Sequence, residues 1–137
     1  MMERPDLALW KAVILHRPHP SVDALMRQLG VLNVSARAVW SQLDEADAAA
    51  DVVFFDADSG HDEQFPWPPG FAPMPMIALI GSEAPGRIEW AIRQGSHAHL
   101  LKPVGSTGVY SALLVAAHAF RSVQKKSDDI RVLQDRL

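Results

Sequence analysis

DVVFFD, residues 51–56, sets four apolar residues between two carboxylates. Val and Phe favour extended backbone, and a run without a polar alternate has no face to give to water. A strand of that composition belongs inside a parallel sheet covered on both faces. The residues that follow, ADSG at 57–60, loosen into a loop, so the strand ends on Asp56. Open α/β sheets bind ligands outside these carboxyl ends. A carboxylate placed there can act as a nucleophile, a metal ligand or a helix cap, and the rest of the chain must supply what each role needs.

Upstream, KAVILH at 11–16 is a second apolar run and reads as the first strand. RPHP breaks it, and Ser21 is placed to cap a helix with Val22, Leu25, Met26 and Leu29 on one face, ended by Gly30. NVSARAVW alternates Val34, Ala36, Ala38 and Trp40, the pattern of a strand. SQLDEADAAA at 41–50 is rich in helix formers and predicts a short helix. Downstream, Pro66, Pro68, Pro69, Pro73 and Pro75 exclude a full helix between the third and fourth strands. MIALI at 76–80 is the fourth strand. SEAPGRIEWAIRQG predicts a helix capped by Ser82 and stopped by Gly95, with Ile88, Ala91 and Ile92 inward and Trp90 on the opposite, outer side. HAHLLKP gives a fifth strand ending at Pro103, and a proline-free segment capped by Ser106 or Thr107 predicts a helix running to the end. Strands alternating with helices imply a doubly wound parallel sheet. Its carboxyl ends collect His16, Asp56, Gly81 and Lys102.

The chain has 137 residues, enough for one domain with a real core, and 48% of them are hydrophobic. A net charge of −3 gives no global field to draw in nucleic acid. Absence of cysteine excludes disulfides and thiolate metal sites and fits a reducing cytoplasm. MMERPDLALWKAVILH has neither the charge pattern of a signal peptide nor the apolar length of a membrane span.

With DVVFFD, PMIALIG and HLLKP in this order, residues 10–122 resemble the receiver domain of bacterial response regulators. The resemblance implies a five-stranded parallel sheet in the order 2-1-3-4-5. It puts Asp56 at the phosphoacceptor position and Lys102 and Pro103 at the receiver lysine and its cis-proline. Phosphoryl transfer to a carboxylate needs a divalent cation with several oxygen ligands. Receivers take these from an acidic pair after the first strand, where this chain has His16 and Arg17. The switch hydroxyl aligns with Ile80 and the switch aromatic with His99. A phosphoacceptor without its cation site implies a structural Asp56, paired with Lys102 and with Arg17 or His16. Asp58 is the one side chain that could restore a cation site, although its family counterpart contributes only a backbone carbonyl. No cofactor and no metal follow from this reading.

The lost acids, the curtailed third helix and the tail ending VLQDRL resemble the AmiR/NasR type of transcription antiterminator, which joins a degenerate receiver to a coiled coil and a helical RNA-binding domain. The resemblance implies a receiver-like domain over 1–122, the start of a coiled coil over 123–137, and an RNA-binding output domain absent from this chain. It implies a non-catalytic module for sensing and dimerisation, controlled by a ligand-sensing partner protein. A conventional receiver phosphorylated on Asp56 with magnesium is the alternative, and a small enzyme is disfavoured because no nucleophile–base pair is visible. Val109, Ala112, Ala116, Ala119, Val123, Lys126, Ile130, Leu133 and Leu137 follow heptad steps. The first half of that helix must cover the sheet, so Val123, Ile130, Leu133 and Leu137, with an outward Trp90, are the expected homodimer surface. HRPH and HAH lack a third ligand at zinc-like spacing and read as structural.

Overall fold

In a computed structural model that describes residues 6–135, five strands form one parallel sheet. They are β1 (Lys11–Leu15), β2 (Ser35–Val39), β3 (Val52–Asp56), β4 (Met76–Ile80) and β5 (Ala98–Leu101), and the spatial order is β2-β1-β3-β4-β5. All pairings are parallel, with Leu15 beside both Val39 and Phe55, and Asp56 beside Leu79. Three helices complete the frame: α1 (Pro20–Val31), α2 (Pro85–Gln94) and α3 (Val109–Asp135). Both the strand order and the long final helix match the expectation. Leu137 lies outside the described residues.

The interior strands β3 and β4 are buried at every position, while β2 and β5, at the edges, are mostly open to solvent. This accounts for their compositions, since only a strand covered on both faces can be apolar throughout. Alternate residues enter opposite cores. Ile14, Val52, Phe54, Ile77 and Leu79 pack with Val22, Leu25 and Leu29 of α1 and with Val109, Leu113 and Ala116 of α3. Val13, Leu15, Val53, Phe55 and Ala78 face Leu43, Phe65, Met74, Trp90 and Ala91. Loops and α2 therefore cover the second face, where the proline-rich stretch at 66–75 stands in place of a helix.

Four local expectations are corrected. Residues 41–50 form no α-helix but a short 3-10 turn, Glu45–Ala49, closed by reciprocal hydrogen bonds between Asp44 and Asp47. Five residues are too few to repay helix nucleation before the chain must re-enter the sheet. The cap of α1 is His19, whose Nδ1 accepts from the Ser21 N–H, with Pro20 at the first helical position. Gly30 does not stop this helix, which runs to Val31 and is followed by Asn33 at φ 61°. Pro85 likewise starts α2 after Ala84, so Ser82 is not its cap, whereas Gly95 ends it in the left-handed region as expected.

Trp90 is the largest correction: it is 7% exposed, and Ile92, expected inward, is 65% exposed. The inner face of α2 is Arg87, Ile88, Trp90, Ala91 and Gln94, so Ile88 and Ala91 face inward as expected. The indole meets Phe55 and Phe65 edge-on or tilted, with centroids 5.7 and 6.4 Å away, and its N–H donates to Asp62 at 2.8 Å. A large ring with a polar tip gains more from an aromatic pocket with an acceptor at its rim than an isoleucine would.

Candidate functional site

β1 and β3 are neighbours whose following segments diverge, so the carboxyl end of the sheet opens between them, and Lys102, the residue after β5, reaches across. Asp56 is the last residue of β3 and is 5% exposed. Its Oδ1 accepts from Lys102 Nζ at 3.1 Å and from the Asp58 N–H at 2.9 Å, and its Oδ2 from Ser59 Oγ at 2.6 Å. Burial alone would raise this carboxyl, but the hydrogen bonds from Ser59, Asp58 and Lys102 outweigh it and hold it below its ordinary value of 3.8.

Lys102 Nζ has three contacts: Asp56 Oδ1 at 3.1 Å, Asp58 Oδ2 at 2.8 Å and His16 Nε2 at 3.1 Å. An ammonium carries three protons, and each has an acceptor. The His16 tautomer follows from its partners. Its Nδ1 lies 2.7 Å from the Arg17 carbonyl, which can only accept, so the proton is on Nδ1 and Nε2 accepts from the lysine. His16 is buried at 4% exposure and lies 3.9 Å from Asp56 Oδ2, too far for a hydrogen bond.

The expected Asp56–Lys102 pair is therefore present, and His16 joins it through the lysine. Arg17 does not: it is exposed, with its guanidinium 5.2 Å from the centre of the Trp40 ring. Ile80, at the position aligned with the switch hydroxyl, is the last residue of β4. Its side chain lies in the core, and the position facing the cluster after β4 is Gly81, where a Cβ would stand 2.6 Å from Asp58 Oδ2 and 3.3 Å from the Lys102 side chain. His99 sits exposed on the edge strand, outside the cluster. The Lys102–Pro103 bond is cis, as the resemblance implies.

Asp58 is the residue whose role sequence reasoning understated. Its carboxylate accepts from the Gly81 N–H at 2.9 and 3.0 Å, from the Ser82 N–H at 3.0 Å and from Lys102. Burial would raise its carboxyl, and these donors, Lys102 first, hold it below 3.8. The sequence signal was a second acid two residues after the strand-end acid, with a glycine at the neighbouring strand's tip. Arg87 anchors the same loop by donating to the Ala57 carbonyl at 2.8 Å and to the Gly60 carbonyl, while its guanidinium lies 4.7 Å from the Trp90 ring centre.

A divalent cation is what a receiver fold implies at this place, and the residues do not fit one. The acidic pair is replaced by an imidazole turned toward a lysine and an arginine turned toward a tryptophan, and both remaining carboxylates are engaged by that lysine. Among the described residues no three His, Cys, Asp or Glu side chains are arranged to hold a metal ion.

The family described as "AmiR, N-terminal" matches residues 10–117, most of the chain. The chain belongs to that family. Solved structures similar to this AmiR-type domain include the signal receiver domain of a modulated diguanylate cyclase from Desulfovibrio desulfuricans G20, at 19% identity and TM-score 0.62, covering 80% of this chain and 94% of that one. The chemotaxis response regulator CheY4 of Vibrio cholerae is similar at 14% identity and TM-score 0.57, covering 76% and 95%. A yeast Spc42 trimeric coiled-coil segment fused to another protein is similar at 13% identity and TM-score 0.64, covering 98% and 99%. At these identities the likeness is one of fold. No curated protein matches the chain. The AmiR-type domain is thus a receiver-like regulatory module, and among its described residues no helix is long and apolar enough to cross a membrane.

Proposed function

We propose that this AmiR-type domain is a silent receiver: a non-catalytic, cytoplasmic sensing and dimerisation module of a transcription antitermination regulator, controlled by a protein partner and not by phosphorylation. The observation that carries the reading is the saturated Lys102 ammonium, held by Asp56, Asp58 and His16 where a receiver would keep a lysine and a cation ready for a phosphoryl group. A phosphoryl group arriving at Asp56 meets an engaged lysine and a site whose acidic ligands are gone, so no divalent cation is held there to neutralise its charge. Receiver-like residues 1–122 then serve as the sensing body. The helix beyond Val123 serves as the dimer element, and RNA is the business of an output domain outside these residues.

Incubation with acetyl phosphate and magnesium, followed by intact-mass measurement, tests the reading. The mass stays unchanged. A phosphate adduct that disappears in Asp56→Asn sinks it in favour of the conventional receiver.

A further inference from the structure

We infer that Asp58 is a tethered ligand: its carboxylate fills an oxyanion cradle made by the Gly81 and Ser82 N–H groups and Lys102 Nζ, and its removal opens that cradle to free phosphate. This goes beyond the silent-receiver reading and does not depend on it.

Three observations on the Asp58 side chain support the inference. Two successive backbone N–H groups converge on one carboxylate at 2.9–3.0 Å, and an ammonium closes the third side at 2.8 Å. Successive N–H groups turned to one point make a concave site for an anion. Gly81 leaves the room: a Cβ there would lie 2.6 Å from Asp58 Oδ2. The loop delivers the carboxylate, because the Asp58 N–H is tied to Asp56 Oδ1 and the side chain is thereby directed to the tip of β4. Since all three lysine protons are engaged, an external anion enters only by displacing an acceptor. Asp58, with its side chain 27% exposed against 5% for Asp56, is the one that solvent can replace. A tetrahedral oxyanion offers the same donors at least as many acceptor atoms as the carboxylate and carries more charge toward the lysine.

Inorganic phosphate is titrated into the chain, and the Gly81 and Ser82 amide resonances are followed by nuclear magnetic resonance. The unsubstituted chain shows no saturable shift of these two amides at millimolar phosphate. Asp58→Ala shows one, with affinity raised by about tenfold or more, and the double variant with Lys102→Met loses it again. Equal binding by the unsubstituted chain, or no binding by a folded Asp58→Ala, overturns the inference. Should Asp58→Ala fail to fold, Asp58→Ser, which also removes the carboxylate, serves in its place with the same two amides as reporters. Absence of binding there overturns the inference as well. No phosphodonor is used, so failure here is distinct from the appearance of a phosphate adduct on Asp56.

Discussion

Lys102 shows how one side chain sets the chemistry of a whole strand end. Its methylene stem spans from β5 to the tips of β1, β3 and β4, and its ammonium ties together an imidazole and two carboxylates. Removing the charge leaves Asp56 buried with its Ser59 and Asp58 donors but without its counter-ion. Lys102→Met therefore destabilises the fold by about 3 kcal/mol, the lower end of the range for breaking a buried pair, as read from urea unfolding. The same carboxylates set a pH dependence. Both Asp56 and Asp58 titrate below 3.8 when folded, so in acid the unfolded chain binds protons first. The stability they contribute is present in full above 3.8 and is lost as pH falls through the lower folded values. Unfolding midpoints measured across that acid window fall with pH in the unsubstituted chain, and the slope is shallower in Asp58→Asn.

At the scale of elements, α2 and α3 do different jobs. α2 closes the second core by way of Trp90, so Trp90→Ala lowers unfolding free energy by about 3–5 kcal/mol and leaves the sedimentation coefficient of the folded chain unchanged. An outward tryptophan serving an interface would do the opposite. α3 divides along its length. Val109, Ala112, Leu113 and Ala116 are in the core, and Phe120 meets the His97 ring edge-on at 5.4 Å. Burial pushes the His97 imidazole down, and its Nδ1 accepts from the Met76 N–H, so the neutral ring braces β4 against α3. Beyond this point Val123, Ile130, Val132 and Leu133 are 49–62% exposed. A helical extension of that length has little stability alone in water, and the proposed dimer would cover the apolar row along it with a second helix. Leu133→Asp, or truncation at Val123, shifts sedimentation from dimer to monomer while the thermal midpoint of the receiver-like body changes little. A monomer in both the full and truncated chains would exclude this helix as the dimer element.

For the molecule as a whole, the cluster of Asp56, Asp58, Lys102 and His16 lies at the carboxyl end of the sheet, and an exposed apolar row lies on the far half of α3. The five strands and the absence of a full helix between β3 and β4 were legible in the order of residues, and the strand order followed from the resemblance to receivers. Apolar runs report strands covered on both faces, and five prolines between β3 and β4 forbid a helix whatever surrounds them. The meeting of Asp56 with Lys102 was legible as well, because parallel strands bring their carboxyl ends to one place. Tertiary structure alone settled the rest. Arg17 and His16 are adjacent in the chain, yet one leaves the site for Trp40 and the other enters it. Gly81 lies against the cluster beside Ile80, and Asp58 reaches Lys102 and the Gly81 and Ser82 N–H groups. Trp90 turns inward because Phe55, Phe65 and Asp62 make a pocket that belongs to no local segment. Periodicity records how a segment divides itself between water and interior. Which side chains then meet across segments depends on the shape and donors of surfaces contributed by distant residues, and no local pattern carries that information.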